Sequence, residues 1–214
     1  MLISAPATDE DVAIIPGVND EMYNPKKHLI VSLGSCTTNA VFPLLKVLHE
    51  SCSIQTATML TTHAYTNSQV LLDIEAKDAR LSRAAALNII PTSTGASKMV
   101  PKIIPALAGK VEMSSVRVPV GKVSLVELTA QVKKPFSIEV VNKKFEQAAR
   151  GKLKNIVQFT TEPLVSSDFN NNPHSVIIDG LLTKSIGNLV SVFGWYDNEW
   201  GYSERLKDFL LSAR

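Results

Sequence analysis

His28-Leu29-Ile30-Val31-Ser32-Leu33-Gly34-Ser35-Cys36-Thr37-Thr38-Asn39 decides how this chain is read. Residues 28–32 have the length and apolarity of a short buried strand, and Leu33-Gly34 reads as the turn that follows. Beyond them Val41, Leu44, Leu45 and Leu48 recur at helical spacing. A strand that turns straight into a helix leaves Ser35 as N-cap and places Cys36 in the first helical turn. Unpaired backbone N–H groups and the positive end of the helix dipole meet there, and both favour a thiolate over a thiol. Two readings of Cys36 stay open on these grounds, a nucleophile or a small packed residue. Pro43 removes one backbone hydrogen bond inside the helix and predicts a kink rather than a stop.

Working outward, Met1-Leu2-Ile3-Ser4 reads as the end of a buried strand running into the turn Ala5-Pro6-Ala7-Thr8, so the chain reads as starting in mid-structure. Val12 to Pro16 reads as another short strand, and 19–27, with Pro25, as surface loop. On the other side, Ile54 to Thr62 is a strand ending at His63, and 65–83 is a long loop with at most a helical turn. Ala96 to Leu107 follows a helical pattern broken by Pro101 and Pro105. Met113 to Pro119 and Val123 to Val132 are strands, the second partly buried on both faces. Ser137 caps a helix with Val141, Phe145 and Ala148 on one stripe and Gly151 as its stop. Strands over 156–159, 175–179 and 189–195 precede a closing helix over 199–211. The class is α+β, with a mixed, largely antiparallel sheet and helices on one face.

Composition excludes several classes. Of 214 residues 45% are apolar and 20% charged, with a net charge of +2 and no block of like charge, so neither nucleic acid nor a membrane surface is implied. No apolar run reaches the roughly 18 residues of a membrane span. The N-terminus lacks the pattern of a signal peptide. Two cysteines, Cys36 and Cys52, cannot form a disulfide framework and read as reduced and cytoplasmic.

A nucleophilic thiol needs a base, and His63 is placed for one, where a sheet edge meets a loop in Thr61-Thr62-His63-Ala64-Tyr65. A structural role for it is equally open. His28, His49 and His174 read as surface residues. Thr92-Ser93-Thr94-Gly95-Ala96 offers hydroxyls and N–H groups that suit an anion, or an ordinary capping turn. Arg117 on an apolar strand is costly to bury without an anion, so it stands at an exposed strand end or faces a ligand.

Taken together, Ser35-Cys36-Thr37-Thr38-Asn39, His63-Ala64-Tyr65-Thr66, RAAALNIIPTSTGA at 83–96, Arg117-Val118-Pro119 and WYDNEWGYS at 195–203 resemble the phosphorylating glyceraldehyde-3-phosphate dehydrogenase family. The resemblance runs from Met1 to Arg214 and implies oxidation of a phosphorylated aldehyde in glycolysis through a Cys36 thioester, with His63 as base. It implies that Ser35, Thr37, Thr94 and Gly95 hold inorganic phosphate and that Thr66 and Arg117 hold the C3 phosphate. Ser4, Ala5, Asn198 and Tyr202 would meet NAD, with NADP not excluded, and no metal is implied. It further implies a cytoplasmic homotetramer, with an S-shaped loop over about 65–88. The division expected is 1–34 as the remnant of a truncated Rossmann-type α/β domain, 35–197 as catalytic domain and 198–214 as a helix returning to the dinucleotide-binding side. The family's glycine-rich turn and ribose-binding acid are missing from the sequence, which predicts that this chain alone is inactive. Ser68 stands where the family often has an acid, and Ala40 where many members have a second cysteine. Erythrose-4-phosphate dehydrogenase, a non-catalytic assembly fragment and a papain-like hydrolase are the alternatives. Asn172-Pro173-His174-Ser175 and Val132 to Pro135 favour the first, and Pro91 to Gly95 counts against it.

Overall fold

The computed structural model describes residues 1–212. Near the N-terminus β1 (Leu2–Ile3), β2 (Val12–Ala13) and β3 (Val31–Ser32) form a three-stranded sheet of order β1-β3-β2, parallel throughout. Only two residues of the 28–32 run are strand. The Leu29 and Ile30 N–H groups instead donate to the Asp11 carboxylate at 2.7 and 2.8 Å, which takes them out of any ladder and leaves Leu29 exposed. The expected surface loop holds a 3₁₀ turn, Asp20–Met22, and its first residue is buried: Asn19 accepts from Ile15 N–H and donates to the Ala13 carbonyl.

Gly34, at φ +63°, makes the turn into α1 (Cys36–Cys52) in a conformation a side chain would strain. Ser35 Oγ accepts from Thr38 N–H at 3.2 Å and Thr38 Oγ1 accepts from Ser35 N–H at 3.1 Å, a reciprocal cap. The helix runs on through Pro43. Loss of one ladder bond costs about 3 kcal/mol. Val41, Phe42, Leu44, Leu45 and Leu48 are all buried, at about 1.5–3 kcal/mol each, and outweigh it.

The main sheet has eight strands: β4 (Ile54–Ala64), β5 (Ile90–Thr92), β6 (Val111–Val118), β7 (Ser124–Val132), β8 (Val157–Thr160), β9 (Val176–Asp179), β10 (Lys184–Ile186) and β11 (Leu189–Tyr196). Its order is β5-β6-β4-β7-β11-β9-β8, with β10 paired to β11. Pairings β4–β6 and β8–β9 are parallel and the rest antiparallel, so the fold is the expected α+β class. Val126, Leu128, Ala130 and Val132 of β7 enter one core with α1 and with Val141 and Phe145 of α3 (Ile138–Arg150). Leu125, Glu127 and Thr129 on the opposite face are half-buried, hence the blurred alternation. β10 is absent from the sequence reading; its signal is the two-residue turn Gly187-Asn188, with Gly187 at φ +56°.

Residues 65–84 contain turns but no helix. Asp73 holds this loop together by accepting from Ala84 N–H and pairing with Arg83, both at 2.8 Å. A 3₁₀ turn comes just after, at Ala85–Leu87. Pro101 and Pro105 divide the next helical stretch into 3₁₀ turns around the short α2 (Val100–Ile103). α4 (Trp200–Ser212) packs Leu206 and Phe209 against Val12, Ile14, Val31 and Leu33 of the small sheet. Residues 213 and 214 of the expected segment 198–214 lie outside the described residues.

Candidate active site

Three elements converge at the start of α1. Cys36 comes from its first turn, His63 from the end of β4, and Arg117 from β6, where the parallel register sets it directly beside His63. Cys36 Sγ lies 3.4 Å from His63 Nε2. On the far side of the ring, His63 Nδ1 meets both the Ala64 carbonyl, at 2.7 Å, and Arg117 Nη1, which also donates to Ala64 O at 3.1 Å. A guanidinium can only donate. Arg117 Nη1 therefore gives its hydrogen to Ala64 O, and the same carbonyl, which can only accept, takes the ring proton from Nδ1, leaving Nε2 unprotonated toward the sulfur.

Electrostatics here run against the simplest expectation from the helix end. Burial pushes the Cys36 thiol up, outweighing the Thr37 N–H and the Arg117 charge, which both favour the thiolate. His63 is 3% exposed, and burial first, then the Arg117 charge, lowers its pKa to about 4. The pair thus rests as thiol and neutral imidazole at neutral pH. Burial lowers Arg117 as well, while Cys36 and Tyr196 favour its charge.

Two hollows open on either side of the pair, and Cys36, His63 and Arg117 line both. The larger, about 900 Å³, is bounded by Thr66, Ser68, Gln69 and Asn198. Thr66 Oγ1 and Ser68 Oγ share a hydrogen bond of 2.8 Å. The smaller, about 170 Å³, is ringed by small polar groups: Ser35, Thr37, Ser93, Thr94, Gly95 and Ser115. Nine residues singled out in the sequence therefore stand together: Ser35, Cys36, Thr37, His63, Thr66, Thr94, Gly95, Arg117 and Asn198.

Ser4, Ala5 and Tyr202 are not among the residues lining either hollow. Ser4 and Ala5 are exposed, with the Ala5 carbonyl bonded to Ser32 Oγ, and it is Pro6 that reaches the smaller hollow. Tyr202 donates its hydroxyl to the Gly34 carbonyl at 2.8 Å, bracing the turn before Cys36. His28, His49 and His174, read as surface residues, are half-buried away from the pair. Among the described residues no three His, Cys, Asp or Glu side chains gather as a metal site, and no helix is long and apolar enough to cross a membrane.

Beneath the pair lies a group the sequence reading passed over. Tyr196 is buried, its ring set edge-on to His63 with centroids 5.9 Å apart. Its hydroxyl bonds Thr37 Oγ1 at 3.1 Å and Thr61 Oγ1 at 2.7 Å. Ser124 Oγ, also buried, accepts from Ala64 N–H and bonds Asn198 Oδ1 at 3.4 Å. The available signal was Thr61 inside an apolar strand and Tyr196 inside the aromatic run at 195–202.

An α+β domain thus brings a cysteine–histidine pair and an arginine together where two polar hollows meet. Residues 35–198 match the family model described as glyceraldehyde 3-phosphate dehydrogenase, C-terminal domain. The chain belongs to the glyceraldehyde 3-phosphate dehydrogenase family. It is 50% identical over 210 residues to the glyceraldehyde-3-phosphate dehydrogenase of Mycobacterium avium, covering 98% of this chain and 62% of that protein. Against the enzymes of that name from Priestia megaterium and Geobacillus stearothermophilus it is 48% identical over 209 residues, covering 97% of this chain and 62% of each. The chain thus spans about three fifths of the length of the curated relatives it matches.

Proposed function

We propose that this chain carries the acyl-transfer apparatus of a phosphorylating glyceraldehyde-3-phosphate dehydrogenase, with 35–197 as its catalytic domain. On this reading 1–34 belong to a dinucleotide-binding domain, and 198–214 return to that side. The observation that carries the proposal is Cys36 Sγ at 3.4 Å from His63 Nε2, with Arg117 shared by the hollows on either side.

The phosphorylated aldehyde occupies the larger hollow, its phosphate on Thr66 and Arg117. Cys36 sulfur adds to the carbonyl carbon while His63 Nε2 takes the thiol proton and returns it to the carbonyl oxygen. His63 then removes that hydroxyl proton as the hemithioacetal becomes a thioester. A nicotinamide cofactor, NAD or NADP, supplies the hydride acceptor when bound. Inorganic phosphate, held by the Ser35, Thr37 and Thr94 hydroxyls and Gly95 N–H, attacks the thioester carbon. The C–S bond breaks, the acyl phosphate leaves, and Cys36 recovers its proton from His63.

A base with a pKa of about 4 is weak at neutral pH. An anion paired with Arg117 cancels part of the charge that holds His63 down, so substrate arrival strengthens the base. Asn198 fits the carboxamide end of a nicotinamide, because Ser124 engages its Oδ1 and leaves its Nδ2 donors available beside Cys36. Ser4, Ala5 and Tyr202 would flank the cofactor from the small-sheet side. A protein spanning the full length of these relatives would work as a cytoplasmic homotetramer, and this chain alone would form no NADH.

Incubation with an acyl phosphate tests the thiol half without cofactor. The expected result is a thioester on Cys36, seen as a mass gain and absent in Cys36→Ala. An unmodified Cys36 would remove the reading. NADH formation by this chain from glyceraldehyde 3-phosphate, NAD and phosphate would overturn its expected inactivity.

A further inference from the structure

We infer that Tyr196 is a positioning residue for the acyl-accepting anion, acting through the Thr37 hydroxyl by way of a buried chain of hydroxyl groups. The inference rests on the phosphate pocket proposed above and adds a residue to it. Thr61 Oγ1 donates to the Leu125 carbonyl at 3.2 Å. Each hydroxyl has one hydrogen, so the bond of 2.7 Å between Thr61 and Tyr196 is donated by Tyr196. The bond of 3.1 Å between Tyr196 and Thr37 must then be donated by Thr37. The chain has one direction, Thr37 to Tyr196 to Thr61 to a backbone carbonyl, and all three hydroxyls are buried.

That direction has a consequence at the smaller hollow. While Thr37 gives its hydrogen to Tyr196, it turns only lone pairs toward the pocket, which a phosphate oxygen does not want. Phosphate binding requires the Thr37 hydrogen to swing outward. The Tyr196 hydroxyl can then turn and donate to Thr37 Oγ1, and Thr61 can donate to Tyr196. Each reversed bond polarises the next, and Thr37 becomes a stronger donor to the anion. Tyr196 thus holds Thr37 at the edge of the hollow in either state and supplies the replacement hydrogen. It touches no reacting atom, and its hydroxyl bonds neither Cys36 nor His63.

The test uses Cys36 acylated by p-nitrophenyl acetate and follows thioester loss against inorganic phosphate by mass spectrometry. In the native chain discharge should rise with phosphate and saturate. Tyr196→Phe keeps the ring against His63 and should raise the half-saturating phosphate concentration about tenfold. Its acylation rate and phosphate-free hydrolysis should stay within about twofold, a split that general loosening of the site would not give. Thr61→Val breaks the chain one step further away and should shift the same quantity about two- to fivefold, an independent test should the tyrosine variant not fold. In a Thr37→Ala background Tyr196→Phe should add less than about twofold. An unshifted Tyr196→Phe, or the same shift with Thr37 gone, overturns the inference and leaves the phosphate pocket standing. Discharge of the native thioester that ignores phosphate overturns both.

Discussion

The two ends of α1 each carry a cysteine, and the comparison separates what makes a thiol useful from what merely surrounds it. Cys36 is half-buried, faces His63 Nε2 at 3.4 Å and opens onto two hollows. Cys52, in the last turn, packs inside the main core. Burial raises the thiol at both ends, so titration alone does not tell them apart. The helix dipole contributes only a fraction of a kcal/mol to about 2 kcal/mol near a helix end, and desolvation overrides it at Cys36. The difference lies in what the rest of the chain brings to each end. At Cys36 that is a base, a cation and access.

Iodoacetamide labelling gives the largest effect by which the comparison can be broken. Cys36 should be modified at least about a hundredfold faster than Cys52, whose sulfur is reached only through opening of the core. Comparable rates would mean that exposure, not the neighbours, had been misjudged. Next in size is the pH dependence of folding. His63 takes a proton below about 6.5 when unfolded but only below about 4 when folded. Between those values the unfolded chain holds more protons, so the stability present above pH 6.5 declines as pH falls, by an order of 3 kcal/mol in all. Urea unfolding at pH 7 and 4.5 should show a shallower decline in His63→Gln. Part of the decline should persist, since burial also lowers His174. Equal declines would show that the charge state of His63 does not set the contrast. The smallest effects concern the caps. Ser35→Ala should cost about 1 kcal/mol by opening the reciprocal cap. Ser53→Gly should gain about 0.5–1 kcal/mol in thermal unfolding, because Ser53 ends the helix at φ +57°, where glycine is free of strain. Opposite signs at the two ends sharpen the comparison, and a loss at both would blunt it.

Much of this was legible in the residues, and the remainder was hidden for definite reasons. Ser35 announced the cap and Cys36 the first turn because local chemistry alone determines both. His63 was legible as a strand end, but its pairing with Cys36 depends on where β4 enters the sheet. Arg117 declared itself as a cation on an apolar strand. Its place beside His63 follows from the parallel β4–β6 register, which no local pattern encodes. Tyr196 drew no reading of its own within the motif at 195–203, since its hydroxyl partners Thr37 and Thr61 are remote in sequence. Leu29 and Ile30 misread as strand because apolar character does not reveal that Asp11 has claimed their N–H groups. The thiolate expected at the helix start fails for a like reason: the dipole is local, but burial is a property of the whole fold.

The strand order β4-β7-β11-β9 carries a cost during synthesis on the ribosome. β7 is finished at Val132, yet the strand that hydrogen-bonds its other side, β11, begins only at Leu189. At about 5–20 residues per second, residues 133–188 take several seconds to add. For that interval β7 has a bare row of N–H and C=O groups, open to any extended chain nearby. Glu127, in the middle of that strand, puts a charge on its half-buried face that an added apolar strand would have to cover without a partner, whereas β11 brings Ser191 Oγ to donate to it at 2.8 Å.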